Sequence, residues 1–322
     1  MPIPDFTDAT VLVTGGAGFI GSHLVDALVA GGAQVRVLDD LSSGKAENLA
    51  HLDGQVELIE GDIRDLATCA RACAGAAYVF HQAARGSVPR SLADPAGSLE
   101  INVAGTANVF TAARDAEVSR VVFASSSSVY GDSDRLPKKE GEEGEPLSPY
   151  ALSKWMNEEL AATFGRCFGL GAIGLRYFNV YGPRQDPEGA YAAVIPRFFH
   201  AYLEGRSPVI YGDGEQSRDF TFVADAVHAN LLASGAPEVA CGRAFNVAAG
   251  RRTTVNELAE RLREIAGTGP EAVHQEPRAG DVAHSLACLD DSRTLLGYEP
   301  SLELAKGLAL SRDHYTALYG SA

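Results

Sequence analysis

The sequence predicts an α/β fold, in which helices cover both faces of a doubly wound parallel sheet. Three observations support this prediction. The first half of the 322-residue chain alternates short apolar, β-branched runs with segments of helical periodicity. A glycine-rich loop joins the first apolar run to the first helical segment. Beyond residue 181 the pattern becomes less regular and richer in proline and glycine, which predicts a smaller second α/β region.

The predicted elements alternate along the first half of the chain. Strands are expected at 10–14, 35–39, 56–60, 77–82, 120–125 and 172–177, with helices at 18–31, 65–74, 98–114 and 150–168. In the second half, helices are expected at 191–204, 223–235, 253–266 and 303–319. We expect residues 1–181 to form the first domain, with a segment near 221–249 returning to it, and residues 182–322 to form mainly the second.

Composition and charge exclude several classes of function. The chain is 46% hydrophobic and carries 27 basic against 42 acidic residues, a formal charge of −15. Such a protein lacks the basic face that nucleic acid or an anionic membrane surface requires, so neither is expected as a partner. No apolar run approaches the roughly 18 residues of a membrane span, and the first residues lack the pattern of a signal peptide.

The cysteines and histidines show no metal-binding pattern. The five cysteines are scattered along the chain, at Cys69, Cys73, Cys167, Cys241 and Cys288, and the eight histidines form no cluster. We therefore expect a reduced, cytoplasmic enzyme without a metal site.

The glycine-rich loop that follows the first predicted strand has the pattern GxxGxxG, with Gly15, Gly18 and Gly21 where the strand turns into a helix. At such a turn a pyrophosphate can approach the backbone N–H groups at the start of the helix. Asp39 ends the next strand, 18 residues after Gly21. A carboxylate there accepts the ribose hydroxyls of NAD and repels the extra phosphate of NADP, and Asp40 adds a second negative charge. The sequence therefore predicts a Rossmann-type NAD site.

Later strand ends add to the expected cofactor site. Asp62, after the third strand, could accept a hydrogen bond from the adenine amino group, while Ala83 and Ala84 are small residues where a ring must pass. Asn102 is a polar group on an otherwise apolar helix face. Phe19 and Ile20 in the glycine loop, and Ile63 and Gln82 beside these strand ends, are also expected to contact NAD.

Tyr150 and Lys154 stand four residues apart, on one face of a predicted helix. A tyrosine with its ordinary pKa of about 10 is a poor base, but a neighbouring ammonium favours the phenolate. Four serines, at positions 125–128, end the preceding apolar strand, at the edge where open parallel sheets carry their sites. This combination indicates acid/base chemistry beside the cofactor.

Together these segments resemble the extended short-chain dehydrogenase/reductase family, and within it the NAD-dependent nucleotide-sugar epimerases, over essentially the whole chain. The resemblance rests on the loop at 15–21, Asp39, Asp62, the segments 126–131 and 176–182, the Tyr150/Lys154 pair and Arg218-Asp219. It implies an isomerase in which Ser126, Tyr150 and Lys154 form the catalytic set. The resemblance further implies that Tyr150 takes the proton of the sugar 4-hydroxyl as hydride passes to NAD, and that the 4-keto sugar turns over and is reduced on its other face. It also implies that Tyr150, Lys154 and Tyr177 contact NAD.

The same resemblance implies a UDP-sugar substrate held mainly by the smaller C-terminal region. Arg218 and Arg278 match a diphosphate clamp, and Tyr211 is expected to stack on the uracil. Ser285 falls at a gate position where a small side chain leaves room for a 2-acetamido group. The other expected substrate contacts are Gly86, Ser87, Ser126, Ser127, Ser128, Tyr150, Asn179, Ala193, Val194 and Asp281.

Several alternatives stay open within this family. The segments 86–91 and 184–196 are most similar to the UDP-N-acetylglucosamine 4-epimerases, while a strict UDP-glucose or UDP-glucuronate 4-epimerase is the second interpretation. Dehydratases and decarboxylases carry acidic residues where this chain has Ser127 and Ser128, which favours epimerisation. A non-catalytic NAD sensor is a remote alternative, because Tyr150 and Lys154 are both present. The helices at 98–114 and 150–168 resemble the pair that forms a four-helix homodimer interface.

Overall fold

The computed structural model describes residues 2–186, 193–267, 269–277 and 283–319. The strands are β1 (Thr10–Thr14), β2 (Gln34–Asp39), β3 (Val56–Glu60), β4 (Tyr78–His81), β5 (Arg120–Ser126), β6 (Ala172–Tyr177), β7 (Val180–Tyr181), β8 (Val209–Tyr211), β9 (Ser217–Arg218), β10 (Thr221–Phe222), β11 (Ala244–Val247), β12 (Thr253–Thr254) and β13 (Val273–Gln275). The helices are α1 (Phe19–Ala30), α2 (Leu66–Cys73), α3 (Val88–Ala93), α4 (Pro95–Leu99), α5 (Gly105–Asp115), α6 (Pro149–Phe168), α7 (Val194–Leu203), α8 (Val223–Ser234), α9 (Val255–Ala266) and α10 (Leu304–Tyr319).

Seven of the strands form one parallel sheet, in the order β11-β6-β5-β4-β1-β2-β3. The two halves of this order run outward from β1, so the sheet is doubly wound, as predicted. Alternate side chains of β1 point to opposite faces of the sheet. Val11 and Val13 join one apolar cluster, and Leu12 joins the other. Both faces are therefore buried, which explains why the strands are apolar in sequence.

Two predictions about the elements need correction. The strand β11 was not expected, because its four residues include Asn246 and its partner β6 lies far away in the chain. The helix expected at 98–114 is divided into α4, a π-helical turn at Glu100–Ala104 and α5, and a short helix, α3, precedes it. Asp94 caps α4 through the Gly97 N–H (3.0 Å), and Pro95 occupies its first position, so a new helix begins there.

The second half of the chain adds three small ladders and a third apolar cluster. β7 pairs with β10, β8 with β13 and β9 with β12. The helices α7, α9 and α10 pack together around buried side chains such as Phe199, Leu258 and Tyr315. Between these parts, α8 packs against α1 and β11 extends the main sheet. In the described part of the chain, no helix combines the length and the apolar character required to cross a membrane.

Candidate active site

Two positions of the loop between β1 and α1 require glycine. Gly15 has φ 68°, in the left-handed region, and a Cβ there would lie 2.6 Å from the Ala83 nitrogen. A Cβ on Gly21 would lie 2.1 Å from the Gly15 carbonyl oxygen. Gly18, at the N-cap of α1, has no capping side chain, so the first N–H groups of the helix face the cleft. This arrangement fits a pyrophosphate.

Asp39 lies at the end of β2, against this loop. Its buried carboxylate accepts hydrogen bonds from the Ala17 N–H and the Leu41 N–H, both at 2.9 Å. Burial raises the pKa of Asp39, and the two hydrogen bonds act in the opposite direction. Asp40 is exposed and accepts from the N–H of Ser42 (3.0 Å). The buried carboxylate is therefore fixed by the loop, whereas the second one is solvated.

A cleft of ≈ 790 Å³ runs along the edge of the sheet formed by the carboxyl ends of its strands. It brings together nearly all residues predicted to contact the cofactor, namely Gly15, Gly18, Phe19, Ile20, Gly21, Asp39, Asp40, Asp62, Ile63, Gln82, Ala83, Ala84, Tyr150, Lys154 and Tyr177. Asn102 is the exception, because it is fully buried behind the wall of the cleft. Its side chain accepts from the Arg85 N–H (2.7 Å) and donates to the Ser153 hydroxyl (3.0 Å), so it shapes the wall.

Sequence reasoning missed several charged residues of this cleft. Arg64 lies beside Asp62 (2.6 Å), and its hydrogen bonds hold the pKa of that carboxyl below its usual value. Arg85 pairs with Asp94, at 2.5 Å. The only signal for these arginines is their position just after the ends of β3 and β4, where parallel strands carry their sites.

The predicted catalytic residues meet at one end of the cleft. Tyr150 and Lys154 lie in the first turns of α6, which Ser148 caps through the Ala151 N–H (3.1 Å). The Lys154 ammonium lies 5.9 Å from the centre of the Tyr150 ring and donates to the Ala124 carbonyl (2.8 Å). The Ser126 hydroxyl, at the end of β5, is close enough to the Tyr150 phenol to lower its pKa. The three side chains therefore form one contiguous group.

Burial dominates the electrostatics of this group. It raises the pKa of Tyr150 above its ordinary value, while the hydrogen bond with Ser126 acts in the opposite direction. It lowers the pKa of Lys154 to about 8, against the influence of the Glu158 carboxylate. The sequence led us to expect a phenol acidified by its neighbour. In the protein alone, burial raises the pKa of Tyr150 more than the contact with Ser126 lowers it.

The residues predicted for the substrate lie in several separate segments. Ser127 and Ser128 form a 3-10 turn after β5, and Ser128 donates to the Ser126 hydroxyl (2.9 Å). Ala193 and Val194 begin α7, and Tyr211 ends β8. Gly86 and Tyr150 lie in the wall of the cleft. Arg278 and Asp281, together with part of the segment 184–196, lie outside the described residues.

Two of the predicted substrate residues have unusual backbone conformations. Ser87 has φ 108° and Asn179 has φ 38°, both in the region that side chains other than glycine rarely adopt. Ser87 caps α3 through the Arg90 N–H (3.3 Å), and the Asn179 amide donates to the Asp219 carbonyl (3.1 Å). Strained residues held by such contacts are concentrated at functional sites.

The segments that carry Arg218 and Ser285 lie beside each other, although the two residues are 67 positions apart in the chain. Arg218, in β9, donates to the Ala283 carbonyl (3.3 Å), and the Ser285 N–H donates to the Ser217 carbonyl (3.0 Å). Ser285 is buried. The strand that carries the predicted diphosphate contact therefore also holds the loop that carries the predicted gate.

Comparisons with known proteins agree with this geometry. A family model described as "NAD dependent epimerase/dehydratase family" matches residues 11–248. The chain is 41% identical to a UDP-glucose 4-epimerase of Mycolicibacterium smegmatis, with 94% of this chain and 97% of that protein covered.

Two solved structures are closely similar. One is a UDP-glucose 4-epimerase of Thermotoga maritima with UDP-glucose, with a TM-score of 0.91 and 40% identity over 96% of this chain and 99% of that one. The other is a UDP-N-acetylglucosamine 4-epimerase from Methanobrevibacter ruminantium in complex with UDP-N-acetylmuramic acid, with a TM-score of 0.93 and 39% identity over 97% of this chain and 99% of that one.

Proposed function

The chain belongs to the NAD-dependent epimerase/dehydratase family, and from this premise we propose that it is an isomerase that inverts the 4-hydroxyl of UDP-sugars. Its preferred pair is UDP-N-acetylglucosamine and UDP-N-acetylgalactosamine, and it also accepts UDP-glucose and UDP-galactose. The observation that carries the proposal is that Tyr150 and Lys154 lie side by side in the wall of the cofactor cleft, with Ser126 near the phenol.

Different residues of this chain have different roles in the proposed reaction. The glycine loop and Asp39 hold NAD, which when bound accepts a hydride from the sugar and returns it. The Tyr150 phenolate takes the proton of the sugar 4-hydroxyl and later gives it back. Ser126, whose contact lowers the pKa of that phenol, bridges the phenol and the sugar oxygen in the proposed reaction. The Lys154 ammonium, beside the Tyr150 ring, favours the phenolate.

Two serines favour epimerisation over elimination. Elimination of water or carbon dioxide from a keto sugar requires an additional acid/base group beside the ring. After Ser126 this chain has Ser127 and Ser128, whose hydroxyls have no pKa near neutrality. Removing and returning a hydride and one proton requires no further titrating group, so inversion at the 4-position is the reaction these side chains support.

The choice of an acetylated sugar rests on Ser285. The side chain is small and buried, and the loop that carries it is fixed to the strand of Arg218 by the hydrogen bond to Ser217. A small gate residue leaves space for the 2-acetamido group. The names of similar proteins support both sugars, because they include UDP-glucose 4-epimerases and a UDP-N-acetylglucosamine 4-epimerase. A strict UDP-glucose 4-epimerase is therefore the second candidate, followed by a UDP-glucuronate 4-epimerase.

The test is to incubate the enzyme, as purified, separately with UDP-N-acetylglucosamine, UDP-glucose and UDP-glucuronate, and to resolve the epimeric products. We expect both of the first two to be inverted, with the higher kcat/KM for the acetylated sugar. Turnover of UDP-glucose alone, or of UDP-glucuronate alone, would replace the proposed substrate with the corresponding alternative. The absence of inversion with all three would overturn the proposed function.

A homodimer through a four-helix bundle, to which each subunit contributes α6 and the helical segment 98–114, is the second part of the proposal. The buried face of α6 carries Lys154, whereas Leu152, Trp155 and Met156 are exposed on the outer face, with 41% of Trp155 accessible. An apolar stripe of this kind is typical of a helix that packs against a partner. Sedimentation should show a dimer that Trp155→Glu dissociates. Leu310→Glu, on the equally exposed surface of α10, should leave the dimer intact.

The domain division and the location are proposed on similar grounds. The pairing of β11 with β6 and the packing of α8 against α1 support an NAD-binding domain of residues 1–181 to which the segment 221–249 returns, with 182–322 as mainly the substrate domain. A reducing compartment, the cytoplasm, is proposed because all five cysteines are free thiols.

A further inference from the structure

Lys154 carries the positive charge on which the proposed mechanism depends, and the structure buries it. Only 3% of the residue is exposed. Its ammonium donates to the Ala124 carbonyl at 2.8 Å, which is a neutral acceptor. A buried cation is costly unless an opposite charge balances it. Whether Lys154 stays protonated in the enzyme therefore depends on a nearby group with a negative charge.

Glu158 lies one helical turn beyond Lys154 on the same face of α6. Its side chain is only 10% exposed. The carboxylate accepts a hydrogen bond from the hydroxyl of Ser125, the residue that follows the Ala124 acceptor in β5. The ammonium and the carboxylate are therefore bound to consecutive residues of one strand, and the charge of Glu158 favours the protonated form of Lys154.

A second cation competes for the same carboxylate. Arg176, in β6, donates to both oxygens of Glu158, from Nε at 2.9 Å and from Nη2 at 2.7 Å. This bidentate contact alone would neutralise Glu158. However, Nη1 of Arg176 is turned the other way, where it is paired with the Glu143 carboxylate and donates to the Tyr130 hydroxyl (3.0 Å). The four charges from Lys154 to Glu143 thus alternate in sign and sum to zero.

We propose that Glu143, Arg176 and Glu158 form a buried charge chain that holds Lys154 in place and in its protonated form. None of the three lines the cofactor cleft, so they are positioning residues. Because the Glu143 carboxylate balances the positive charge of Arg176, the negative charge of Glu158 remains available to Lys154. The inference rests on the proposed function in assigning a catalytic role to Lys154. The chain of contacts itself is independent of that role.

The other titratable groups around Lys154 do not supply this charge. Tyr150 faces it from α6, and its pKa is raised by burial, so it is neutral in the protein alone. His81 faces it from β4, where burial lowers the pKa of the imidazole to about 3 and keeps it uncharged. Among these neighbours, Glu158 is the group that carries a negative charge. Since the pKa of Lys154 is already lowered to about 8, loss of that charge should deprotonate it near neutrality.

The kinetic test uses Glu158→Gln in the purified holoenzyme. Activity that requires the ammonium falls as the pH rises through the pKa of Lys154. We expect this alkaline limb of the kcat profile to move to lower pH by about one pH unit or more, with KM nearly unchanged. Glu143→Gln should move it in the same direction by less, and Glu158→Asp, which keeps the charge, should largely restore it. Glu159→Gln, the exposed neighbour on α6, should match the wild type.

A direct titration separates this inference from the proposed function. The chain has five lysines, so the side-chain resonances of isotopically labelled lysine can be followed by NMR, and Lys154→Met assigns the relevant one. We expect Lys154 to titrate at lower pH in Glu158→Gln than in the wild type or Glu159→Gln. This readout requires no turnover, so it decides the inference even if no UDP-sugar is inverted. An unchanged Lys154 titration in both Glu158→Gln and Glu143→Gln would overturn it.

Discussion

The cofactor side and the substrate side of this protein are built in different ways. The cofactor side comes from neighbours in the chain, because β1, the glycine loop, α1 and Asp39 lie within a single β-α-β unit. The proposed substrate side is assembled from Asn179, Arg218 and Ser285, which belong to three distant segments. The first is supported by the main sheet, whereas the second depends on short ladders and individual hydrogen bonds.

One buried carboxylate joins the segments of the substrate side. Asp219, which is fully buried, accepts hydrogen bonds from the N–H groups of Ala249 (2.9 Å), Gly250 (3.1 Å) and Ala287 (3.2 Å). Burial raises its pKa to about 6, against these bonds. In a region held by such contacts, a pocket residue can be substituted without disturbing the main sheet. From this comparison we expect the cofactor side to tolerate little change, and we expect a substitution at the proposed gate to alter the choice of sugar.

The largest effect is expected for Tyr150→Phe, at the point where the two sides meet. This change removes the phenol that exchanges the proton and leaves the ring in place. Loss of a general base typically costs about 10²–10⁴-fold in rate. We expect kcat to fall by that factor, while the dissociation constant for the UDP-sugar, measured by calorimetry, stays within a few-fold of the wild type. Turnover close to that of the wild type would remove Tyr150 from the mechanism.

A smaller effect is expected on the cofactor side for Asp39→Asn. The substitution removes the charge and one of the acceptors that receive the Ala17 and Leu41 N–H groups. A hydrogen bond to a charged group contributes about 1.5–3 kcal/mol, so we expect NAD to bind about 10- to 150-fold more weakly. The measurement is the NAD dissociation constant of protein stripped of cofactor.

The neighbouring carboxylate provides the control. Asp40→Asn changes the same functional group one residue further on, but Asp40 is exposed and bonded to Ser42. It should weaken NAD binding by only a few-fold. Equal losses in both variants would mean that the general negative charge of the loop, rather than the fixed position of Asp39, governs binding, and the two sides would then differ less than we infer.

The same contrast explains what could be predicted from the sequence. The sheet, the glycine loop and Asp39 follow from local patterns with a known spacing, and the Tyr150/Lys154 pair follows from the period of a helix. The residues of the proposed substrate side could be predicted only from the resemblance to a family, because no local pattern connects Arg218 with Ser285.

The residues that were missed depend on tertiary pairing. Arg64 and Arg85 pair with acidic residues near them in the chain, and only the fold brings both pairs to the cleft. The bond of Arg176 in β6 to Glu158 in α6 forms only when separate elements meet. β11 was missed for the same reason, because Asn246 breaks its apolar pattern. That residue is buried, accepts from the Tyr130 hydroxyl (2.7 Å) and donates to the Cys288 carbonyl (3.0 Å), contacts that only the folded chain provides.

The smallest effect, and the one most specific to the substrate side, is expected for Ser285→Tyr. The added ring should occupy the space proposed for the 2-acetamido group without disturbing Tyr150 or the glycine loop. Overpacking typically costs about 1–3 kcal/mol, which corresponds to about 5- to 150-fold in kcat/KM at 1.4 kcal/mol per decade. The loss should fall on UDP-N-acetylglucosamine and spare UDP-glucose. Since specificity is a ratio, both substrates are measured on the same preparation.

Ser285→Ala is the matched control, because it keeps the side chain small while it removes the hydroxyl. It should leave the ratio of the two kcat/KM values within about two-fold of the wild type, since a methyl group occupies no more space than the original side chain. Equal losses on both sugars in Ser285→Tyr would mean that the ring disturbs the ladder to Ser217, which the Ser285 N–H joins. No loss on either sugar would mean that Ser285 does not lie beside the acetamido group, and the proposed preference for the acetylated sugar would then lose its support.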